Sequence, residues 1–97
     1  MLITEAQRKR IPELYAQEEI ADPMVYLVIR CANSFWLITE CNEDGLAFGW
    51  ADMFGDGSCG ELGYIHLDEI EGLQESYIVN VEEVETLLSE LKQKFYR

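Results

Sequence analysis

The sequence reads as an α+β domain: an antiparallel sheet of four to five strands packed by short N-terminal helices and an amphipathic C-terminal helix. Three observations lead there. Residues 35–67 hold three apolar segments, Phe35–Cys41, Leu46–Ala51 and Glu61–Leu67. The first two are joined by Asn42-Glu43-Asp44-Gly45, which ends in the Asp-Gly pair of a hairpin turn, and the third follows a glycine-rich loop, Phe54–Gly60. A β-rich run, Met24–Cys31, precedes them and is apolar on both faces, which places it near the sheet centre. Finally, Val81, Val84, Leu87, Leu88, Leu91 and Phe95 recur at the spacing of one helical face. At 97 residues and 48% hydrophobic, the chain builds one core and one domain, 1–97.

The elements follow in order. Thr4 with Gln7 is a capping box opening a helix through about Arg10. Pro12 breaks it and suits the first turn of a second short helix to about Gln17, with Leu14 and Tyr15 turned inward. Glu18–Pro23 is an acidic linker. In the strand after Ser34, alternation puts Trp36, Ile38 and Glu40 on one face and Phe35, Leu37, Thr39 and Cys41 on the other. In the next, Leu46, Phe48 and Trp50 oppose Ala47, Gly49 and Ala51, a small face that leaves room for a packed helix, the simplest occupant, or for a ligand. Asp68 with Glu71 starts a one-turn helix stopped by Gly72, and Ser76–Val79 is a short edge strand. Asn80 with Glu83 caps the last helix, Val81 to about Tyr96, whose acids lie early and cations late, as the macrodipole favours.

Charge bounds the function. The net charge is −12, and from Cys31 through Leu91 there is no Lys or Arg but fourteen carboxylates. A continuous negative field there argues against direct nucleic-acid or anionic-membrane contact and favours a basic protein partner. Solubility alone is the plainer explanation. No run approaches the roughly 20 apolar residues of a membrane helix, and the N-terminal residues do not form a signal peptide, so the expected location is the cytoplasm. Three cysteines match no disulfide framework.

Sites of chemistry are weakly signalled. His66, the only histidine, has no sequence partner for nucleophilic catalysis with Cys31, Cys41, Cys59 or Ser58. The same cysteines with His66 supply zinc-type ligands, but at spacings unlike structural zinc sites, so core-filling cysteines are preferred. Asp52, Asp56 and Glu61 lack the alternation of a calcium loop. Glu40 and Glu61 have nothing to orient them as a general acid/base pair. No catalytic residue, metal or cofactor is therefore assigned.

Leu2-Ile3-Thr4-Glu5-Ala6-Gln7-Arg8-Lys9-Arg10-Ile11-Pro12-Glu13-Leu14-Tyr15, Trp36-Leu37-Ile38-Thr39-Glu40, Phe48-Gly49 and Glu61-Leu62-Gly63-Tyr64-Ile65-His66-Leu67-Asp68-Glu69-Ile70 resemble, in the same order, the bacterial DUF2958 family. The resemblance covers about Met1 to Leu73, with Val81 to Arg97 departing from it. It implies a small α+β protein, often carried on plasmids, phages and other mobile elements, with no established activity. Charge and resemblance together point to a non-enzymatic binding protein docking on a basic surface. Its sharpest form is an anti-defence (anti-CRISPR or anti-restriction) inhibitor of a nucleic-acid-binding effector complex. The contact residues expected are Glu40, Glu43, Asp44, Asp52, Asp56, Glu61, Asp68, Glu69, Glu71 and Glu75, anchored by Phe54 or Tyr77. One alternative is a ligand-binding module or enzyme with a pocket lined by Trp36, Trp50, Tyr64 and His66. Another is a self-associating accessory protein using the Val81–Phe95 stripe as its seam.

Overall fold

The computed structural model describes residues 2–96. Helix α1 (Glu5–Arg10) opens on the expected reciprocal cap: Gln7 N–H donates to Thr4 Oγ1 at 3.0 Å and Thr4 N–H to Gln7 Oε1 at 2.9 Å. The second helix expected after Pro12 does not form. Residues 14–19 make successive turns, and Tyr15, expected to point inward, lies in the left-handed region at φ +74° and is exposed. A left-handed residue cannot continue a right-handed helix.

Strands β1 (Met24–Cys31), β2 (Ser34–Cys41), β3 (Leu46–Asp52), β4 (Glu61–His66) and β5 (Val79–Leu87) form one antiparallel sheet in the order β4-β3-β2-β1-β5. Helix α2 (Leu67–Gly72), extended by a 3₁₀ turn at Leu73–Glu75, precedes β5, and α3 (Leu88–Phe95) follows it. This shortens the expected C-terminal helix by half. Val79, Val81, Val84 and Thr86 are β-branched, and Val79, Val81 and Thr86 pair with β1, so that β5 covers an edge that would otherwise be bare. The pairing slips between Val25 and Leu27 of β1, where β5 carries one extra residue; Val81 and Val84, three apart, serve opposite faces by ordinary alternation.

A second irregularity matters more. Ile38 pairs with Gly49 but Glu40 with the adjacent Phe48, so Thr39 is an extra residue in β2. The bulge inverts the alternation beyond it: Cys41 joins Trp36 and Ile38, while Glu40 turns to the face carrying Phe48. Gly49 permits this, since a Cβ there would lie 1.9 Å from the Leu37 carbonyl oxygen.

Each face of the sheet carries an apolar layer. On one, Ile3 and Ile11 flanking α1 and Leu67 and Ile70 of α2 pack on Leu27, Ile29, Ile38 and Ala47. Helices thus occupy the space beside the small side chains of β3. On the other, Leu88 and Leu91 of α3 pack on Val25, Val28, Phe35 and Leu37. Leu27, Ile29, Leu37 and Ile38 are fully buried, each contributing about 1.5–3 kcal/mol. Helix α3 lacks a cap of its own; Asp22 supplies one, accepting from Ser89 N–H at 2.9 Å and Ser89 Oγ at 2.6 Å. With Leu88 and Leu91 turned into the core, the supposed dimer seam is internal. Helix α3 does not extend over Phe48, Leu62 and Tyr64, the corner of this face formed by β3 and β4.

Candidate functional site

Of the residues expected to meet a partner, two are buried. Asp52, at the end of β3, is 0% exposed. Its Oδ1 accepts from the amides of Phe54 at 3.0 Å and Gly55 at 2.8 Å, and its Oδ2 from Gly57 N–H at 2.8 Å and the Tyr96 hydroxyl at 2.6 Å. Burial pushes the Asp52 carboxyl up, but the bonds from Tyr96 and the three amides outweigh it and hold the group below its ordinary value. Tyr96 in turn accepts from Trp50 Nε1 at 2.8 Å, and burial together with the Asp52 carboxylate pushes its phenol up to about 12. Asp52 is a clamp for the loop after β3. It has nothing left to offer a partner.

Glu40 is 4% exposed, placed by the bulge in β2. Its Oε1 accepts from Tyr15 N–H at 2.9 Å and its Oε2 from Gln17 N–H at 2.6 Å. These bonds, with the Gln17 side chain bridging Met24 and the Thr39 carbonyl, explain why residues 14–19 are turns rather than a helix. The folded-back loop, together with Phe48, Leu62 and Tyr64, encloses a recess of about 220 Å³ whose wall includes Glu40. At its mouth the Tyr64 hydroxyl meets that of Tyr15 at 3.1 Å. The Tyr64 phenol is held above its ordinary value, by that bond first, then by burial and by the charges of Glu18 and Glu40. Sequence reasoning missed Tyr15, Phe48 and Leu62 because only the bulge and the loop bring them together.

The remaining acids fall into separate groups, not one field. Glu43 and Asp44 of the β2–β3 hairpin lie with Asp68, Glu69 and Glu71 of α2 at one end of the sheet. Leu67 N–H donates to Gly45 O at 3.0 Å, tying α2 to the hairpin. Phe54, Asp56 and Glu61 are exposed at the other end, on the β3–β4 loop and its exit, and Glu75 is exposed on the 3₁₀ turn. Glu40 pairs with Phe48 and Glu61 with Ala51 on different strands, so no acid/base pair forms. The N-terminus offsets part of the charge: Arg10 bonds Glu83 at 2.6 Å and lies 3.8 Å from Glu85, and Arg8 donates to the Glu43 carbonyl at 2.9 Å. Tyr77 is exposed in the loop before β5.

Of the alternative pocket, Trp36, Tyr64 and His66 line one cavity of about 330 Å³ beside α2, whereas Trp50 packs on the other face under α3, with Lys92 Nζ 3.8 Å above its ring. Cys31 and Cys41 are buried, but Cys59, expected in the core, is exposed on the glycine loop, and His66 is exposed at the start of α2. Among the described residues no three His, Cys, Asp or Glu side chains are grouped to hold a metal ion. No helix among them is long and apolar enough to cross a membrane.

A family model described as a protein of unknown function, DUF2958, matches residues 2–92. The chain belongs to the DUF2958 family. The match runs well past Leu73, where the sequence resemblance stopped, and takes in β5 and the first half of α3. The C-terminal segment is thus part of the DUF2958 domain. No curated protein and no solved structure matches the chain. In chemical terms, this DUF2958 protein offers two acidic ends and, between them, a half-open apolar recess walled partly by a buried carboxylate.

Proposed function

We propose that this DUF2958 protein is a non-enzymatic binding protein that docks onto a basic protein surface. The observation that carries the reading is the assembly of Glu43, Asp44, Asp68, Glu69 and Glu71 at one end of the sheet, from two segments joined by the Leu67–Gly45 hydrogen bond. Carboxylates held on a rigid frame steer a cationic partner and make its affinity salt-dependent. Leu62 and Tyr64, 47% and 54% exposed on the neighbouring edge strand, supply the apolar contact such an interface needs. In its sharper form the partner is the nucleic-acid groove of a CRISPR or restriction effector, with carboxylates standing in for phosphates. The support for that form is the mobile-element association implied by the family resemblance.

The test is capture of the tagged protein's partners from host lysate at low and at physiological salt, with identification by mass. Basic proteins are expected to be retained at low salt and released at the higher. The combined Asp44→Lys, Asp68→Lys and Glu69→Lys variant, altered only at exposed positions, is expected to lose them while keeping its thermal transition. Capture indifferent to both salt and charge reversal overturns the reading. Displacement of the captured protein by duplex DNA decides the sharper form.

A further inference from the structure

We infer that the recess beside β4 is a socket for one cationic side chain, lysine or arginine, of the docked partner. This rests on the binding reading above and names what that surface recognises.

The first support is Glu40. It is nine-tenths buried and more, yet no Lys or Arg among the described residues lies within 4.0 Å of it. Where buried Asp52 gathers four donors, Glu40 has two backbone amides, which leaves acceptor capacity on its oxygens for a further, charged donor. Five of the described cations are engaged elsewhere: Arg8 at the Glu43 carbonyl, Lys9 beside Glu5, Arg10 at Glu83, Arg30 over Phe95 and Lys92 over Trp50.

The second support is the wall. Tyr15, Phe48 and Tyr64 place three aromatic rings around the cavity, with Phe48 and Tyr64 edge-to-face at 5.4 Å. Aromatic faces beside a carboxylate attract a cation, and Ile20, Pro23 and Leu62 suit its aliphatic stem. At about 220 Å³ the recess is smaller than the roughly 300–1,000 Å³ of a drug-sized ligand site, so it fits one side chain better than a cofactor.

The third support is the approach. Strand β4 is an edge of the sheet, free to pair with an extended segment that would deliver a side chain to the adjoining recess. The opposite edge, β5, carries Glu82, Glu83 and Glu85 with Arg10 bound across two of them.

The experiment titrates ¹⁵N-labelled protein with three blocked tripeptides, acetyl-Leu-X-Leu-amide, where X is lysine, arginine or the neutral norleucine. The amides of Tyr15, Gln17, Leu62 and Tyr64 are followed. The lysine or arginine peptide is expected to move them with about ten-fold higher affinity than the norleucine peptide. Tyr15→Gly and Tyr64→Leu, each checked for an unchanged remainder of the spectrum, are expected to remove that preference. Equal response to norleucine, or shifts confined to Asp44, Asp68 and Glu69 and untouched by the two variants, overturns the socket. The charge-reversed variant from the lysate experiment is expected to keep the recess response within about two-fold, since its substitutions are not in the wall. A failed capture with an intact titration therefore sinks the docking reading alone, and the reverse sinks the socket alone.

Discussion

Asp52 and Glu40 sit toward opposite ends of the paired strands β2 and β3, and each is a nearly inaccessible carboxylate that gathers the amides of a turn-rich loop. Asp52 takes three loop amides and is closed off by Tyr96 from the C-terminal segment. Glu40 takes two amides and no hydroxyl, and its loop leaves a recess beside it. A carboxylate with every demand met within the chain is a structural part. One held in place but not neutralised is ready for something else.

The largest expected effect falls on the closed site. Asp52→Ala strands the amides of Phe54, Gly55 and Gly57 and the Tyr96 hydroxyl. At about 1–3 kcal/mol for each group that water cannot reach, a loss near 3 kcal/mol is expected in urea unfolding. Glu40→Gln keeps one acceptor oxygen of two, so about 1–2 kcal/mol is expected, with loss of the lysine-peptide response. A cost at Glu40 equal to that at Asp52 would erase the contrast.

The closed site also has an alkaline signature. Tyr96 has its phenol raised from 10.0 to about 12 by burial and the Asp52 carboxylate. Its contribution is fully present below pH 10, where the unfolded phenol is still protonated. It is lost as pH rises toward 12, because only the unfolded chain releases the proton there. Thermal unfolding is expected to show a fall of up to about 2 kcal/mol across that window, absent in Tyr96→Phe. Asp52 works in the other direction. Its carboxyl is lowered from 3.8, so its stabilisation is present above that value and drains away as pH falls through the folded value.

The two sites differ from the sheet in how far the sequence exposed them. Strands β1 to β4 were legible because period-two alternation and the Asp-Gly turn are local signals. Strand β5 was not: its Val81, Val84 and Leu87 are spaced by three, which imitates a helical stripe although Val81 and Val84 face opposite sides of the sheet, and only pairing with β1 distinguishes the two. The family of the chain was legible from its N-terminal and central motifs, but its C-terminal reach was hidden by that same imitation. Glu40 and Asp52 read as surface acids because carboxylates usually are. Their burial depends on groups 23 to 44 positions away, which no window of sequence contains. The one local trace of the bulge behind Glu40 was Gly49, read as room for a helix when its first duty is to clear the Leu37 carbonyl.

The smallest expected change in stability makes the sharpest test of the open site. Tyr15 holds φ +74°, a geometry costing about 1–2 kcal/mol for a residue with a Cβ. Glycine relieves that strain but adds about 0.5–1 kcal/mol of unfolded-state entropy. The lost hydroxyl contact with Tyr64, at 3.1 Å on the surface, removes about 0.5 kcal/mol more. The terms nearly cancel, so Tyr15→Gly is expected to shift the unfolding free energy by less than about 0.5 kcal/mol in either direction. The Glu40 bonds to the backbone amides at 15 and 17 survive the substitution, because neither uses the tyrosine ring. What disappears is one aromatic wall of the recess, so an unchanged urea midpoint combined with a lost preference for the lysine peptide isolates the ring's contribution from the clamp's. A destabilisation of several kcal/mol would instead show that the ring props the loop, and that the two buried carboxylates serve a single structural purpose.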